Sequence, residues 1–306
     1  MIEFVENNID TLATALYATC DDYLNAHPQL LPPRPKIGIQ PQITDAEIIT
    51  LAVMESLQGY TSQRRFIRHA RTRLTSLFPY IPQQSGYNKR LRKLTTVMQH
   101  IMTHLATSTC LLDDDVWVVD STPVECGRSR ETVKRSDLAG YAEYGYCASH
   151  SRFFWGCRLH LISTLHGLPV GYALTGAKTD ERATLLAILE TVPVEVPHGQ
   201  VIMADKGYNG VWLEDELTAG GVELIRPARK GEKPRPGKQF LKPLRQRIES
   251  VFNTMKSQLN LEQHGSRTPG GLVCQVVKRL LALTAAIWHN HTTGQPVLRS
   301  LIAYDH

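Results

Sequence analysis

The segment VWVVD, residues 116–120, is a short run of β-branched and aromatic residues that ends in an aspartate. A run of this composition predicts a buried β-strand. The segment VIMAD, residues 201–205, is a second short apolar run that ends in an aspartate. The ends of buried strands are where ligands bind in α/β proteins. We therefore expect the carboxylates of Asp120 and Asp205 to face each other at the edge of one sheet.

The segments around these two runs predict the rest of the sheet and the helices that cover it. FFWGCRLHLIST and LPVGYALTG predict two antiparallel strands joined by a tight turn at His166 and Gly167. DERATLLAILETV predicts a helix capped by Asp180, WLEDELTAG another helix, and VELIRPA a fifth strand. The order is three strands, helix, strand, helix, strand and then helices. It predicts an α/β fold of the ribonuclease-H-like type, with a mixed sheet flanked by helices.

Residues 121–152 predict an irregular loop, which is long for a compact domain. Basic residues are interleaved with aromatic residues in this loop, a combination that suits contact with distorted or single-stranded DNA ends. A mobile surface loop is the alternative interpretation. The basic residues that we assign to DNA contact here are Arg128, Arg130, Lys134 and Arg135.

Residues 1–106 predict a helical region. Thr44 and Glu47 have the spacing of a capping box, and apolar residues follow them at helical spacing. Several short basic helices in succession are typical of a DNA-binding region, and a plain dimerisation module is the weaker alternative. We therefore divide the chain into a helical DNA-binding or dimerisation region, residues 1–106, and a ribonuclease-H-like domain, residues 107–306.

The formal net charge of +5 is unevenly distributed over the 306 residues. Between Ser56 and Leu112 the chain has no aspartate or glutamate. A field of one sign favours a polyanion such as DNA, whereas solvated faces usually mix both signs. The basic residues of this segment that we assign to DNA contact are Arg64, Arg65, Arg68, Lys89, Arg90, Arg92 and Lys93.

Other features of the sequence limit the class of protein. No stretch of 18 apolar residues predicts a membrane span, and the most apolar region is interrupted by Lys278 and Arg279. The first residues lack the pattern of a signal peptide, so we expect a cytoplasmic protein without a membrane partner. The six cysteines form no C-x-x-C pair and are expected to be reduced apolar residues.

A third carboxylate is predicted by helical geometry. At about 100° per residue, Arg245, Glu249 and Lys256 lie along one stripe of a helix. The apolar residues Leu241, Leu244, Ile248, Val251, Met255 and Leu259 form a neighbouring stripe that would pack on the sheet. Glu249 at the rim of that contact could reach the strand-end aspartates. Taken alone, an ordinary surface ion pair between Arg245 and Glu249 explains the spacing as well.

Three segments together resemble the catalytic motifs of a known family. VVDSTPV, ADKGYNG and RQRIESVFNTMK look like the three motifs of DDE-type insertion-sequence transposases. In that family a glutamate lies four residues after an arginine and seven before a lysine, which is the spacing here. The family's tyrosine, three residues before the arginine, is replaced by Lys242. GYCAS, FFWGCRLHLIST and ADKGYNG are most similar to the branch called insertion sequence nine-eighty-two.

The resemblance implies an activity and a set of site residues. It implies that Asp120, Asp205 and Glu249 are catalytic and bind two Mg²⁺ or Mn²⁺ ions in an active site. Such a transposase cleaves the ends of an insertion sequence and joins their 3′-OH to target DNA. Arg245 and Lys256 would hold phosphates. The implied partners are double-stranded DNA, both element ends and target, and a second copy of the chain in a homodimer on DNA.

Two other functions share these features. A metal-dependent nuclease or resolvase of the same fold would use the same carboxylates without joining strands. A non-catalytic DNA-binding protein descended from a transposase would need none of them. In the segment that follows Asp205, two further residues have more than one interpretation. Gly207 permits a tight turn, and Tyr208 either touches substrate or packs in the core.

Overall fold

A computed structural model describes residues 8–33, 40–147, 151–235, 237–297, 301 and 304, except for the side chains of Lys238, Lys242 and Leu244. The chain forms two compact units. The first comprises residues 1–108, 254–266 and 270–306, and the second comprises residues 109–253 and 267–269. One boundary lies close to the predicted division at residue 106. The C-terminal segments, however, belong to the first unit and not to the unit that contains the sheet.

The first unit is helical. Its helices are α1 (Ile9–Ala26), α2 (Asp45–Leu57), α3 (Gln63–Arg73), α4 (Gln84–Lys93), α5 (Thr95–Thr107) and α10 (Pro269–Thr292). The predicted capping box is present, since the Thr44 side chain accepts from Glu47 N at 3.1 Å and Glu47 accepts from Thr44 N at 2.6 Å. Helices α4 and α5 are separated by Leu94, which is the C-cap of α4 and the N-cap of α5.

Helix α10 is long and apolar enough to cross a membrane by length and composition alone. However, 78% of its most apolar window is buried inside the protein. Lys278 in its middle is buried and pairs with Glu55 of α2 at 3.0 Å. The other oxygen of Glu55 accepts from the Tyr87 hydroxyl at 2.9 Å. A buried charge with these partners identifies α10 as a core helix of the first unit.

The second unit contains a mixed sheet flanked by helices, as predicted, but the sheet has six strands where five were expected. Its strands are β1 (Val116–Gly127), β2 (Glu143–Cys147), β3 (Arg152–Thr164), β4 (Pro169–Gly176), β5 (Val201–Met203) and β6 (Glu223–Ile225). Its helices are α6 (Arg130–Arg135), α7 (Glu181–Leu189), α8 (Val211–Ala219) and most of α9 (Lys238–Ser257). Strand β1 pairs antiparallel with β3 on one side and parallel with β5 on the other. Strands β2 and β4 both pair with β3, and β6 pairs parallel with β5.

The irregular loop predicted for residues 121–152 is wrong for most of its length. Strand β1 continues seven residues past Asp120, since residues up to Gly127 pair with β3. Proline is tolerated at position 123 because β1 pairs with β5 only as far as Val118, so this part of the strand is paired on one side. Helix α6 and strand β2 occupy much of the remainder.

Candidate active site

Asp120 and Asp205 lie side by side on the sheet. The parallel pairing of β1 with β5 places Val118 opposite Met203. Asp120 and Asp205 each lie two residues beyond this last β1–β5 pair. Asp120 is in the middle of β1 and not at its end, whereas Asp205 follows the last residue of β5 by two positions. The expected juxtaposition is present, although β1 continues past Asp120 and β5 ends before Asp205.

A small cavity of about 20 Å³ opens between these aspartates and the helix α9. Arg245 lies at its wall together with the two aspartates, and the remaining lining is mostly apolar: Val118, Val119, Met203, Ala204, Pro227, Leu241 and Ile248. A space of this size holds one water molecule or one small ion. The cavity therefore combines two carboxylates, one guanidinium and little other polar surface.

The electrostatics of the cavity disfavour an ionised Asp120. Burial raises the pKa of Asp120 to about 7, and the negative charges of Asp205 and Glu181 act in the same direction. The Ser121 backbone N–H, which donates to Asp120 Oδ1 at 2.7 Å, and the positive charge of Arg245 lower the pKa and offset part of this effect. A bound cation would lower the pKa of a carboxyl group in this environment and favour its ionised form.

The loop after β5 orients Asp205. The Gly207 N–H donates to Asp205 Oδ1 at 2.6 Å. A Cβ at position 207 would lie 2.8 Å from this same oxygen, closer than real Cβ contacts come. Glycine is therefore needed here for the close approach of backbone and carboxylate. This is a more specific reason than the tight turn expected from the sequence.

Glu249 is not among the residues that line the cavity. Its carboxylate pairs with Arg245 Nε at 3.0 Å, and both side chains are about half exposed, at 54% and 51%. The helix buries Ile248, Val251 and Met255, as the predicted apolar stripe requires, while the side chains of Lys242 and Leu244 lie outside the described residues. The structure therefore brings Asp120 and Asp205 together with Arg245, and leaves Glu249 one helical turn away, held by that arginine.

Sequence reasoning missed Glu181, the first residue of α7. Its Oε1 accepts hydrogen bonds from the Ser121 hydroxyl and from Arg158 Nη1, the latter at 3.0 Å. The sequence carried little to identify it, because an acidic residue after a capping aspartate is ordinary in a first helical turn. The cap itself is confirmed, since Asp180 accepts from Arg182 N at 2.8 Å.

Tyr208 is fully buried, so of the two interpretations considered for it packing is correct. Its hydroxyl nevertheless has no hydrogen-bond partner among the described residues. Burial raises the pKa of Tyr208 well above its usual value, and the charges of Glu181, Asp120 and Asp205 raise it further. An unsatisfied buried hydroxyl costs about 1–3 kcal/mol, so this group is a candidate for a polar partner that the chain itself does not supply.

The donor set fits a hard divalent cation at Asp120 and Asp205. Oxygen ligands and only one or two carboxylates are what Mg²⁺ usually takes from a protein, the rest being water or phosphate oxygen. Among the described residues, no three His, Cys, Asp or Glu side chains converge closely enough to hold one ion. In the observed conformation, a metal site on this chain would thus have two carboxylate ligands. Glu249 could become a third ligand only if its ion pair with Arg245 broke.

The basic residues assigned to DNA contact fall into two groups. Arg90 donates to the Ile43 carbonyl at 2.6 Å and pairs with Asp45, and Lys256 pairs with Glu262 at 3.4 Å. The others, apart from Arg245 described above, are exposed on α3, on α4, at α6 or just before it: Arg64, Arg65, Arg68, Lys89, Arg92, Lys93, Arg128, Arg130, Lys134 and Arg135. Of these, Arg128 pairs with Glu125 and Arg135 pairs with Glu131, each at 3.4 Å. Contact with DNA stays a prediction for all of these residues.

The fold and the family agree with the resemblance found in the sequence. The mixed sheet flanked by helices is the ribonuclease-H-like α/β fold. The family described as the transposase DDE domain matches residues 111–285, which is more than half of the chain. The chain belongs to this family, and the protein is a transposase. Its narrower placement in the branch called insertion sequence nine-eighty-two stays a prediction.

A solved structure supports the same fold. The cryo-EM structure of the piggyBac transposase synaptic complex with hairpin DNA contains a chain that is similar to this protein with a TM-score of 0.50. The two chains are 9% identical, and the likeness covers 96% of this chain and 78% of the other. No curated protein matches the sequence. At this identity the likeness shows the fold alone.

Proposed function

We propose that this transposase cleaves the ends of an insertion sequence and joins the released 3′-OH to target DNA, with Asp120, Asp205 and Glu249 as its catalytic carboxylates. The observation that carries the proposal is the pair of aspartates, Asp120 on β1 and Asp205 just after β5. These strands are adjacent and parallel, and both aspartates line a cavity with room for a small ion. The raised pKa of Asp120 supports the proposal, because a cation bound to the two carboxylates would favour the ionised form of Asp120.

Each residue has a distinct part in the proposed chemistry. Two Mg²⁺ or Mn²⁺ ions, when bound, would activate the attacking oxygen and stabilise the leaving oxygen at phosphorus. Asp120 and Asp205 would hold the ions, and Arg245 at the cavity would bind a non-bridging phosphate oxygen through its guanidinium. When Arg245 turns to phosphate it releases Glu249, which can then join the two aspartates. The pair seen between Arg245 and Glu249 would thus be exchanged for a phosphate and a metal.

DNA binding is proposed for the exposed basic residues. The similar solved chain belongs to the piggyBac transposase synaptic complex with hairpin DNA. In the present protein Arg64, Arg65 and Arg68 are exposed on α3, while Phe66, Ile67 and Ala70 of the same helix are buried. We further propose that the active complex is a homodimer on double-stranded DNA, and that the protein acts in the cytoplasm.

The test uses a plasmid carrying the DNA that flanks this reading frame, a second plasmid as target, and Mn²⁺. We expect the wild-type chain to release 3′-OH ends and to join them covalently to the target plasmid. Asp120→Asn, Asp205→Asn and Glu249→Gln should each lose cleavage while retaining DNA binding. Asp215→Asn, on the exposed face of α8, is the matched control and should cleave normally.

The same assay separates the alternatives. Cleavage without covalent joining would identify a nuclease or resolvase of this fold. Binding without any cleavage in Mn²⁺ would identify a non-catalytic DNA-binding protein. Near-normal cleavage by any one carboxylate variant would remove that residue from the proposed site and leave the other two in place.

A further inference from the structure

Glu181 uses its two carboxylate oxygens differently. Oε1 accepts from the Ser121 hydroxyl and from Arg158 Nη1, and the same Arg158 nitrogen donates to Ser121 Oγ at 2.9 Å. The second terminal nitrogen of Arg158 donates to the Tyr146 carbonyl at 3.3 Å. These contacts tie the carboxylate to β1, β2 and β3, so Glu181 is held in one orientation.

Oε2 of Glu181 takes part in none of these hydrogen bonds and has no donor among the described residues. It lies 3.4 Å from the position that a Cβ of Gly207 would occupy, and Asp205 Oδ1 lies 2.8 Å from that same position. The two oxygens therefore flank one point that glycine leaves empty. An oxygen that is fixed in place, without a donor and beside Asp205 is suited to accept a hydrogen bond from a bound species.

The hydroxyl of Tyr208, near the same carboxylates, is an independent observation. Tyr208 is fully buried, and its hydroxyl has no partner among the described residues. Glu181, Asp120 and Asp205 are the charged neighbours that raise the pKa of Tyr208. Buried hydroxyl groups nearly always have a hydrogen-bond partner, so a polar species supplied from outside the chain is expected there.

We propose that Glu181 and Tyr208 form the outer layer of the cation site, where Oε2 and the phenol hydroxyl hydrogen-bond the water molecules retained by a divalent cation on Asp120 and Asp205. The proposal rests on the proposed function, because it needs a cation on the two aspartates. Mg²⁺ gives up water reluctantly and usually keeps several water ligands. The lack of three converging ligand side chains in the described residues agrees with a cation that is held partly through its water.

The experiment titrates Mn²⁺ alone into the full chain without DNA and measures free Mn²⁺ by electron paramagnetic resonance. Hydrogen-bonding partners of a metal site typically change metal affinity about 10- to 100-fold when they are removed. We expect Glu181→Gln to raise the Kd for Mn²⁺ about tenfold and Tyr208→Phe to raise it severalfold. Glu190→Gln at the other end of α7 and Tyr80→Phe at an exposed position are matched controls and should bind as the wild type does.

Each outcome assigns the result to one proposal. If Asp120→Asn loses Mn²⁺ binding while Glu181→Gln and Tyr208→Phe bind like the wild type, the outer layer is refuted and the aspartate site stands. If the wild type does not bind Mn²⁺, or binds it no better than Asp120→Asn, both proposals fail. Circular dichroism verifies that each variant is folded. Should Glu181→Gln unfold, Tyr208→Phe decides the proposal, because it removes only an unpartnered hydroxyl.

Discussion

The ionisation of Asp120 affects the stability of the protein. Its pKa is raised to about 7 in the folded chain, mainly by burial, against about 3.9 in an unfolded chain. Between these values the folded protein keeps a proton that the unfolded chain has released. The stability contributed by Asp120 therefore falls as the pH rises from about 4 to about 7, and the full penalty persists above pH 7.

Asp120→Asn should remove this penalty. In a buffer with EDTA we expect the variant to be more stable than the wild type at pH 8 by up to about 4 kcal/mol, and nearly equal to it at pH 4, since a shift of about three pKa units corresponds to about 1.4 kcal/mol per unit. Mn²⁺ should then raise the melting temperature of the wild type but not that of the variant. Thermal unfolding over the pH series measures both effects, with Asp215→Asn as control. A variant that is less stable than the wild type at pH 8 would show that the pKa of Asp120 is not raised in the folded protein.

At the scale of the element, α3 has two different faces. Phe66, Ile67 and Ala70 are buried in the first unit, while Arg64, Arg65 and Arg68 are exposed. Ser62 begins the helix by accepting from Arg65 N at 3.4 Å. One face of α3 therefore packs in the core of the first unit, and the face that carries the arginines is available to a polyanion.

Replacement of Arg64, Arg65 and Arg68 by alanine should weaken DNA binding without unfolding the protein. Removing one phosphate-binding side chain lowers the slope of log affinity against log salt concentration by about 0.9, so the three replacements together should lower it by up to about three. Exposed positions usually change stability by less than about 0.5 kcal/mol. Fluorescence anisotropy at several salt concentrations measures the slope. The paired replacement of Arg229 and Lys230, which are exposed in the second unit, is the control. An unaltered slope would exclude α3 from DNA contact.

Helix α10 shows how a core element carries charge. Lys278 and Glu55 are 1% and 2% exposed and lie 3.0 Å apart. Burial lowers the pKa of Lys278, and the charge of Glu55 opposes that effect. Because both groups have left water, each depends on the other to compensate its charge.

Lys278→Met should therefore destabilise the protein by about 3–5 kcal/mol, since it leaves Glu55 buried with the Tyr87 hydroxyl as its partner. The double variant Glu55→Gln with Lys278→Met removes both charges and should recover most of that stability. Urea unfolding of the two single variants and the double variant gives the coupling free energy. Simple addition of the two single effects would show that the pair is not coupled.

At the scale of the whole molecule, the two compact units do not follow the order of the chain. Residues 270–306 belong with residues 1–108, although the sheet and most of α9 lie between them in the sequence. The first unit is therefore built from both ends of the chain. A division of the protein at residue 106 would separate α10 from the helices that bury it.

Removal of residues 1–106 should consequently yield a fragment that aggregates, although the sequence alone predicted a folded domain for 107–306. The reason is that α10 would be deprived of α2 and α4 and would expose an apolar surface together with Lys278. Light scattering and circular dichroism on the fragment check this. Residues 109–253, which make up almost all of the second unit, are the comparison and should be more soluble. A monomeric, cooperatively folding 107–306 fragment would contradict the prediction.

Local patterns in the sequence determined much of this protein. Apolar runs placed β5 and the start of β1, a cap placed α7, and the two aspartates were expected together because parallel neighbours bring equivalent positions to one edge. For Arg245 and Glu249, the alternative interpretation, an ion pair between residues four apart on a helix, describes the contact that the structure contains, since helical spacing is a local property. The spacing of these residues in the sequence did not determine whether Glu249 faces solvent or the aspartates.

The tertiary structure decided what depends on residues far apart in the chain. Strand β1 extends to Gly127 because β3 offers it a partner for pairing, which residues 121–127 do not reveal by themselves. Glu181 joins the site through Ser121, sixty residues away. Lys278 is a core residue because Glu55 compensates its charge, whereas in the sequence it looked like an interruption of an apolar run. A side chain's free energy depends on its neighbours in space, and the chain order specifies those neighbours only within a strand, a turn or a helix.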